Sequence, residues 1–386
     1  LIVRQLLPVT APARPLDDEV HRFLRDELRL VPDVAAVAGE ARTLYTRLAG
    51  GLADWARAID FAPFRLRVNG TAGSGKTQLA LAVLGDAVAA GRRPLYVCYN
   101  RPLADHIARI APAGALAVTY HQLADRLLRA AGETPDFSQP GAFRRLEAYL
   151  AGLPPGRVEF DELIVDEGQD FQPEWRDALL RLLAPGGRAW WLEDPRQNLY
   201  GRAPVELPGW VTLNAHTNYR SPRDIAAYLR KLVGEDALES GSPLDGSEVE
   251  ILTYADAAGL MDRTKTAITR GLGAGFKKSM IALVSYRGRE HSLFTPLDRL
   301  GPHTLRAHTG EYDLLGSPVY SEGELLIDSV HRFKGRSAPC VVFTEIDFET
   351  LDDAARRKLF VGMSRATMKL VLVMSERAAR SLMERL

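Results

Sequence analysis

Short apolar runs alternate with helical stretches along most of the chain. Four runs that end where polar or small residues begin are LYVCY (95–99), ALAVTY (115–120), ELIVDE (162–167) and AWWLED (189–194). A second series follows Gly209 and consists of WVTLN, EVEILTY, SMIALVSY, ELLIDSV, CVVFTEI and LVLVMS. Strands that alternate with helices in this way predict an α/β protein with parallel sheets flanked by helices.

The change of pattern along the chain predicts three parts. Apolar residues recur at helical spacing before Ile59, as at Val20 and Leu28, and a polar, Gly-rich surface loop is predicted at 234–248. The predicted parts are a helical N-terminal segment and linker at 1–60, one α/β domain at 61–212 and a second at 213–386.

Length, charge and cysteine content narrow the class of protein. A chain of 386 residues has room for about two domains. Its 49 Lys and Arg residues balance 49 Asp and Glu residues, so a nucleic-acid surface would have to be a local groove. Cys98 and Cys340 lie in apolar runs, which predicts buried reduced thiols in a cytoplasmic protein. No apolar run approaches the length of a membrane span, so no membrane partner is expected.

The segment GTAGSGKT fits the phosphate-loop pattern G-x-x-x-x-G-K-[ST] between an apolar strand and a helix. Backbone N–H groups of such a loop surround phosphates, the Lys reaches the β and γ oxygens, and the Thr hydroxyl binds Mg²⁺. The alternative is an ordinary Gly-rich turn. The residues predicted to bind the nucleotide here are Gly70, Thr71, Ala72, Gly73, Ser74, Gly75, Lys76, Thr77 and Gln78.

The acidic segment DEGQD follows the apolar run LIV. Asp166 is placed to hold Mg²⁺ together with Thr77, and Glu167 to orient an attacking water. The alternative is a solvated acidic turn at the end of a strand. Together the two segments predict an ATPase that uses Mg²⁺, and they say nothing about its substrate.

DEGQD also resembles the D-E-x-Q-D box of superfamily 1 helicases of the UvrD/Rep type. Other stretches resemble boxes of that family in the same order: TYHQLADRLL (119–128), LEDPRQNLYG (192–201), LNAHTNYRSP (213–222), DSVHRFKG (328–335) and KLFVGMSRATMKLVLV (358–373). With the phosphate loop, the matches run from about residue 66 to 373. The resemblance implies two tandem RecA-like P-loop domains around one Mg·ATP.

The same resemblance implies roles for residues outside the phosphate loop. Arg220 and Arg365 would clamp the γ-phosphate, and Gln197 would sense that phosphate or its water. Tyr219 would stack on adenine, and Gly335 joins the nucleotide-binding set. The implied catalytic residues are Lys76, Glu167, Gln197, Arg220 and Arg365.

Single-stranded DNA is the implied partner, with RNA left open. The residues predicted to contact it are Asn100, Arg101, Thr119, Tyr120, His121, Tyr200, Arg202, His331 and Lys334. Tyr120 and Tyr200 could equally be core aromatics, and His331 a core histidine. No spacing of His, Cys or Asp suggests a zinc or iron site.

The chain departs from the family pattern in four ways. No Gln precedes the phosphate loop where the family reads adenine, and Arg202 stands where the family has a Trp. Ser337 replaces the Glu that usually meets ribose. The segments 124–165 and 222–329 are shorter than those that carry accessory subdomains in the family. We therefore expect a minimal motor with short or absent accessory subdomains.

The resemblance implies an ATP-dependent helicase or translocase that moves 3′→5′ on single-stranded DNA. Repair, recombination or defence is the implied setting, with a nuclease domain or partner protein. One alternative is a nucleic-acid-binding ATPase switch that does not translocate or unwind. The other is a small-molecule P-loop kinase, for which the NYRS and MSRA segments would have no purpose.

Overall fold

The computed structural model describes residues 34–233, 238–246, 248–312 and 318–384. The helical positions predicted before residue 34 lie outside these ranges. Within them the protein is a mixed α/β structure with two large sheets, which confirms the predicted class.

The first sheet is wholly parallel. Its strands are β1 Arg65–Gly70, β2 Pro94–Cys98, β3 Leu116–Thr119, β4 Phe160–Asp166, β5 Leu183–Glu193 and β6 Val211–Ala215. They lie side by side in the order β3-β2-β4-β5-β1-β6. The carboxyl ends of β1 and β4 therefore lie at the same edge, where parallel sheets usually bind ligands.

Two further sheets follow. Strands β7 Thr217–Asn218 and β8 Glu239–Ser240 form a short parallel pair, and β8 lies in the segment that we predicted as a loop. The larger sheet holds β9 Glu250–Tyr254, β10 Ile281–Ser285, β11 Arg299–Leu300, β12 His303–Tyr312, β13 Pro318–Tyr320, β14 Leu325–Ser329, β15 Ala338–Ile346 and β16 Ala366–Ser375. Its order is β11-β12-β14-β10-β15-β16-β9, with β13 beside β12.

Strand β12 was not predicted. It runs parallel to β14 and antiparallel to β11 and β13, so it forms an irregular edge of the second sheet. Its sequence, HTLRAHTGEY, lacks the continuous apolar run of the buried strands because only part of it is covered. This edge contributes to a cavity described below.

The helices of the described residues are Val34–Ala49, Gly51–Ala58, Lys76–Ala89, Arg101–Ile110, Tyr120–Ala130, Ala142–Gly152, Pro173–Leu180, Arg223–Val233, Ala257–Gly273, Val330–Phe333, Asp353–Met363 and Glu376–Met383. Asn100, Thr119, Asp256 and Asp352 accept hydrogen bonds from backbone N–H groups in the first turns of their helices. Such caps fix where a helix begins.

Alternating side chains of the first sheet build a core on each face. Leu163, Val165 and Trp191 pack on one face, whereas Ile164 and Trp190 pack on the other. Because β4 and β5 are held from both sides, the residues that follow β4 begin from a fixed position.

Strand β6 corrects the predicted division of the chain. We expected WVTLN to open the second series, but β6 pairs in parallel with β1, with Leu66 opposite Val211 and Gly70 opposite Ala215. The predicted boundary between residues 212 and 213 therefore falls inside a strand of the first sheet. Strand β6 provides the neighbour that β1 needs on its second edge.

Candidate nucleotide and nucleic-acid site

The phosphate loop joins β1 to the helix Lys76–Ala89. Gly73 and Gly75 have φ values of +74° and +103°, which L side chains rarely adopt. A Cβ at Gly75 would lie 2.1 Å from the carbonyl oxygen of Ala49, so glycine is also required by space. Buried Lys76 donates hydrogen bonds from Nζ to the carbonyls of Gly70 and Thr71. Its ammonium thus lies inside the loop that would surround a phosphate.

Two buried carboxylates lie at the carboxyl end of β4, where Asp166 is the last residue of the strand and Glu167 follows it. Asp166 accepts hydrogen bonds from the Tyr96 hydroxyl at 2.7 Å and from the backbone N–H of Glu167 at 2.8 Å. Burial and the neighbouring Glu167 charge raise the pKa of Asp166. Burial alone would raise the pKa of Glu167 too, but the ammonium groups of Lys334 and Lys76 outweigh it and lower that pKa. The two adjacent carboxylates therefore differ in how readily they accept a proton.

Lys334 lies in the part of the molecule built on the second sheet and forms ion pairs with carboxylates of the part built on the first. Its Nζ lies 2.6 Å from Asp170 Oδ2 and 3.3 Å from Glu167 Oε2, and the side chains of Lys334 and Asp170 are both fully buried. Burial raises the pKa of Asp170 to about 6, although Lys334 opposes the shift. We predicted Lys334 as a DNA contact, but in this conformation its ammonium is inaccessible to a nucleic acid because two carboxylates surround it.

Two arginines that follow the first sheet in sequence also reach the phosphate loop. Arg365 is buried and donates hydrogen bonds to Gln197 Oε1 at 3.1 Å and to the Val361 carbonyl at 2.9 Å. Arg220 donates to the Ser364 carbonyl at 2.8 Å. Among the described residues, no carboxylate oxygen lies within 4.0 Å of either guanidinium.

Without a nearby counter-charge, both arginines have lowered pKa values. Burial, followed by the charge of Arg220, lowers the pKa of Arg365 to about 9. Burial also lowers the pKa of Arg220. Two cations that are shielded from solvent beside each other are costly unless an anion lies between or beside them.

Most of the predicted nucleotide residues line one cavity of about 340 Å³, which we name the nucleotide cavity. They are Ala72, Gly73, Ser74, Gly75, Lys76, Thr77, Gln78, Asp166, Glu167, Gln197, Arg220, Gly335 and Arg365. Gly70 and Thr71 lie behind it as hydrogen-bond acceptors of Lys76. Tyr219 is not part of its lining; a Cβ at Gly241 would lie 2.6 Å from the Tyr219 ring. The expected stacking of Tyr219 on adenine is not supported by this position.

Residues 324–373 match the UvrD-like helicase C-terminal domain. The matched segment includes His331, Lys334, Gly335 and Arg365, so it relates this part of the chain to UvrD-like helicases. It indicates a helicase-type nucleic-acid enzyme. No curated protein matches the chain significantly.

Two predicted nucleic-acid contacts, Asn100 and Arg101, lie where the part of the molecule built on the first sheet meets the part built on the second. Asn100 caps the helix Arg101–Ile110 and donates a hydrogen bond to the His331 carbonyl at 2.9 Å. Arg101 pairs with Asp105 at 2.7 Å and lies over the Tyr312 ring. The side chain of Asn100 is therefore engaged within the protein, as a helix cap and as a hydrogen-bond donor to His331.

The predicted contacts at the start of the helix Tyr120–Ala130 are mostly enclosed. Thr119 forms a capping box with Gln122, and Tyr120 is fully buried and stacks on Trp175 at 4.6 Å between ring centroids. His121 Nε2 lies 2.9 Å from Glu147 Oε1. Tyr120 is thus a core aromatic, which is the alternative that the sequence left open.

Tyr200 and Arg202 present a more accessible surface. Tyr200 is 38% exposed, meets Tyr99 edge-on at 5.0 Å and lies 6.0 Å from the His331 ring. Arg202 lies over the rings of Tyr99 and Trp175 at 4.4 and 4.6 Å. An Arg plane on aromatic rings occupies the place where the family's Trp was expected, and both groups can stack on a base.

The donor set of the nucleotide cavity fits Mg²⁺ bound with a nucleotide. Within the described ranges, no three His, Cys, Asp or Glu side chains gather as a metal site. Mg²⁺ in nucleotide sites usually takes only one or two protein oxygens besides phosphates and water. The Thr77 hydroxyl and the Asp166 carboxylate line the same cavity and would provide those oxygens.

One wall of the nucleotide cavity was missed in the sequence. Arg42, Tyr45, Thr46 and Ala49 of the helix Val34–Ala49 line it, together with His106. Their spacing places them on one helical face, and this pattern could have identified them. Cys98 and Cys340 are buried free thiols, as predicted. Among the described helices, none is both long and apolar enough to cross a bilayer.

Proposed function

We propose that this protein is an ATP-dependent translocase or helicase that acts on single-stranded DNA. ATP is hydrolysed in the nucleotide cavity between two RecA-like lobes, one built on each large sheet. The observation that carries this proposal is the pair Arg220 and Arg365. Both line the nucleotide cavity at the phosphate loop, Arg365 buried and Arg220 half-buried, without a carboxylate partner among the described residues.

Phosphoryl transfer needs fixed positive charge around the γ-phosphate oxygens. Lys76 contributes it from the first lobe, and Arg220 and Arg365 from the second. Mg²⁺ held by Thr77 and Asp166 would neutralise further phosphate charge when it is bound. Because the cations come from both lobes, the triphosphate favours a closed arrangement and its cleavage weakens that preference.

Glu167 orients and deprotonates the attacking water. Its lowered pKa keeps it ionised, and Gln169 Nε2 and Lys334 Nζ hold one carboxylate oxygen in place. Gln197 accepts from Arg365 and donates to Asp194 Oδ2 at 2.7 Å, so it links the arginine to the first lobe. These contacts give Arg365 and Glu167 their orientation before the nucleotide arrives.

The nucleic-acid surface lies beside this machinery. Tyr200, Arg202 and His331 present rings and a guanidinium, and Arg202 also donates to the Asp170 carbonyl. Asp170 pairs with Lys334, which contacts Glu167. A base that moves Arg202 is therefore connected to the catalytic carboxylate through three contacts.

The test is phosphate release from ATP with and without single-stranded oligonucleotides of increasing length. A motor is stimulated, and its turnover per protein rises with length. Turnover that is stimulated but independent of length would indicate a static switch instead. Activity unaffected by DNA would indicate a small-molecule kinase. Movement 3′→5′ predicts faster displacement of streptavidin from a 5′ than from a 3′ biotin.

A further inference from the structure

A second cavity adjoins the nucleotide cavity, and we name it the basic chamber. It has a volume of about 610 Å³ and lies between the helices Val34–Ala49 and Arg101–Ile110 and strand β13. The residues that line both cavities are Arg42, Tyr45, His106, Gly335 and Ser337. A nucleotide held by Lys76 would therefore lie beside the chamber.

The charge of the chamber is strongly positive. Its guanidinium groups belong to Arg42, Arg109, Arg306 and Arg336. Among the described lining residues, Asp105 is the only carboxylate, and Arg101 already binds it at 2.7 Å.

The partners of these arginines leave most of that charge uncompensated. Within the described part of the chain, no carboxylate oxygen lies within 4.0 Å of the guanidinium groups of Arg42, Arg109 or Arg306. The one carboxylate of the described residues within 4.0 Å of the Arg336 guanidinium is Asp328, at 3.8 Å. The pKa of His106 is lowered, first by burial and then by the charges of Arg109, Arg336 and Arg42. A concave surface with this charge attracts anions.

The shape and donor set favour a small phosphorylated ligand. The volume lies in the range of small-molecule sites, and guanidinium groups match phosphate oxygens in geometry. Ser337 and Thr367 add hydroxyl groups, and Tyr45 and Tyr320 add aromatic walls. Ser337 stands where the family carries a Glu, whose charge would oppose an anion at the junction of the two cavities.

We propose that the basic chamber binds a phosphate group of a small molecule beside the nucleotide. The phosphate is either carried on the ribose of the nucleotide itself or supplied as a free polyphosphate. The first source rests on the proposed function, because it requires a nucleotide in the neighbouring cavity. The second does not.

Calorimetry measures the binding of inorganic pyrophosphate to the chamber in a variant whose phosphate loop is weakened. The Lys76→Ala variant, which weakens the loop, should still bind pyrophosphate. Adding Arg109→Gln and Arg306→Gln should weaken that binding by about tenfold or more, because charge-assisted hydrogen bonds are lost. Adding Arg144→Gln and Arg145→Gln, which remove the same charge from exposed positions outside the chamber, should leave it unchanged. Thermal unfolding verifies that each variant is folded.

The source is resolved by comparing ADP with ADP that carries a 3′-phosphate, on the otherwise unchanged protein. A ribose-borne phosphate predicts tighter binding of the phosphorylated form by about tenfold, lost in the Arg109→Gln, Arg306→Gln variant while ADP binding persists. Pyrophosphate binding without that gain assigns a free polyphosphate.

The absence of both effects would overturn the proposal, as would an equal loss of pyrophosphate binding in the Arg144→Gln, Arg145→Gln control. So would displacement of pyrophosphate by oligothymidylate, which would assign the chamber to nucleic acid. The DNA-stimulated ATPase of the Arg109→Gln, Arg306→Gln variant reports on the proposed function separately, since neither residue lines the nucleotide cavity.

Discussion

Two cation sites lie near the residues that follow β4: Lys334 on its own, and the pair Arg220 and Arg365. The sites differ in the charges that surround them. Lys334 is enclosed by the carboxylates of Asp170 and Glu167. Arg365 is buried and Arg220 is half-buried, but both contact only carbonyl, hydroxyl and amide oxygens among the described residues. A compensated cation holds two parts of a protein together, whereas a pair of cations without a counter-charge is suited to binding an anion.

The largest effect is expected from the uncompensated set. Arg365→Ala should lower kcat for ATP by about 10³ or more, because fixed guanidinium charge at a γ-phosphate contributes on that scale. Nucleotide binding, followed with a fluorescent ATP analogue, should change far less. Arg144→Ala serves as the exposed control. Near-normal turnover of Arg365→Ala would remove this residue from the catalytic set.

The compensated cation should instead affect folding. Lys334→Met leaves Asp170 buried without its partner and should lower the free energy of unfolding by about 3–5 kcal/mol. Urea denaturation followed by tryptophan fluorescence measures this, since Trp190 and Trp191 lie in opposite cores. Asp170→Asn in the same chain should recover part of the loss. Unchanged stability of Lys334→Met would show that the ion pair does not hold the two parts together.

The loss in Lys334→Met should depend on pH. The pKa of Asp170 is already raised to about 6 by burial, and removing the ammonium raises it further. The folded variant then takes up a proton at pH values where the native protein does not, so its deficit shrinks as pH falls toward about 5. Denaturation at about pH 5 and pH 8 compares the two proteins. A deficit that grows on acidification would contradict this account.

The smallest effect is expected for an exposed pair. Lys265 lies 3.1 Å from Asp262, whose side chain is 77% exposed. Asp262→Asn should change the free energy of unfolding by less than about 0.5 kcal/mol, because solvent screens the pair. If this change matched that of Lys334→Met, burial would not explain the difference between the two ion pairs.

Local chemistry was readable in the sequence, because it depends on neighbours along the chain. A helix directly follows the phosphate loop, as the pattern predicted, although it begins at Lys76, two residues before the expected Gln78. Asp166 ends an apolar strand for the same reason. The α/β class followed from the same alternation of short runs and helices.

Features that depend on how distant segments meet were not readable. The burial of Lys334 results from its contact with Asp170, which is far away in sequence, and no pattern around either residue encodes it. Strand β6 was assigned to the wrong sheet because an apolar run in the sequence does not indicate which strand it pairs with. Tyr219 and Lys334 were given roles from their place in a motif, whereas packing decides which side chains reach a cavity.

The contact between Ala49 and Gly75 has a practical consequence for dissecting the chain. The helix Val34–Ala49 ends against the phosphate loop and supplies one wall of the nucleotide cavity. A shortened protein that starts at β1 would keep every residue of the GTAGSGKT segment and still lack that wall. The smallest portion that retains the whole pocket must therefore reach back at least to this helix, well before the first recognisable motif.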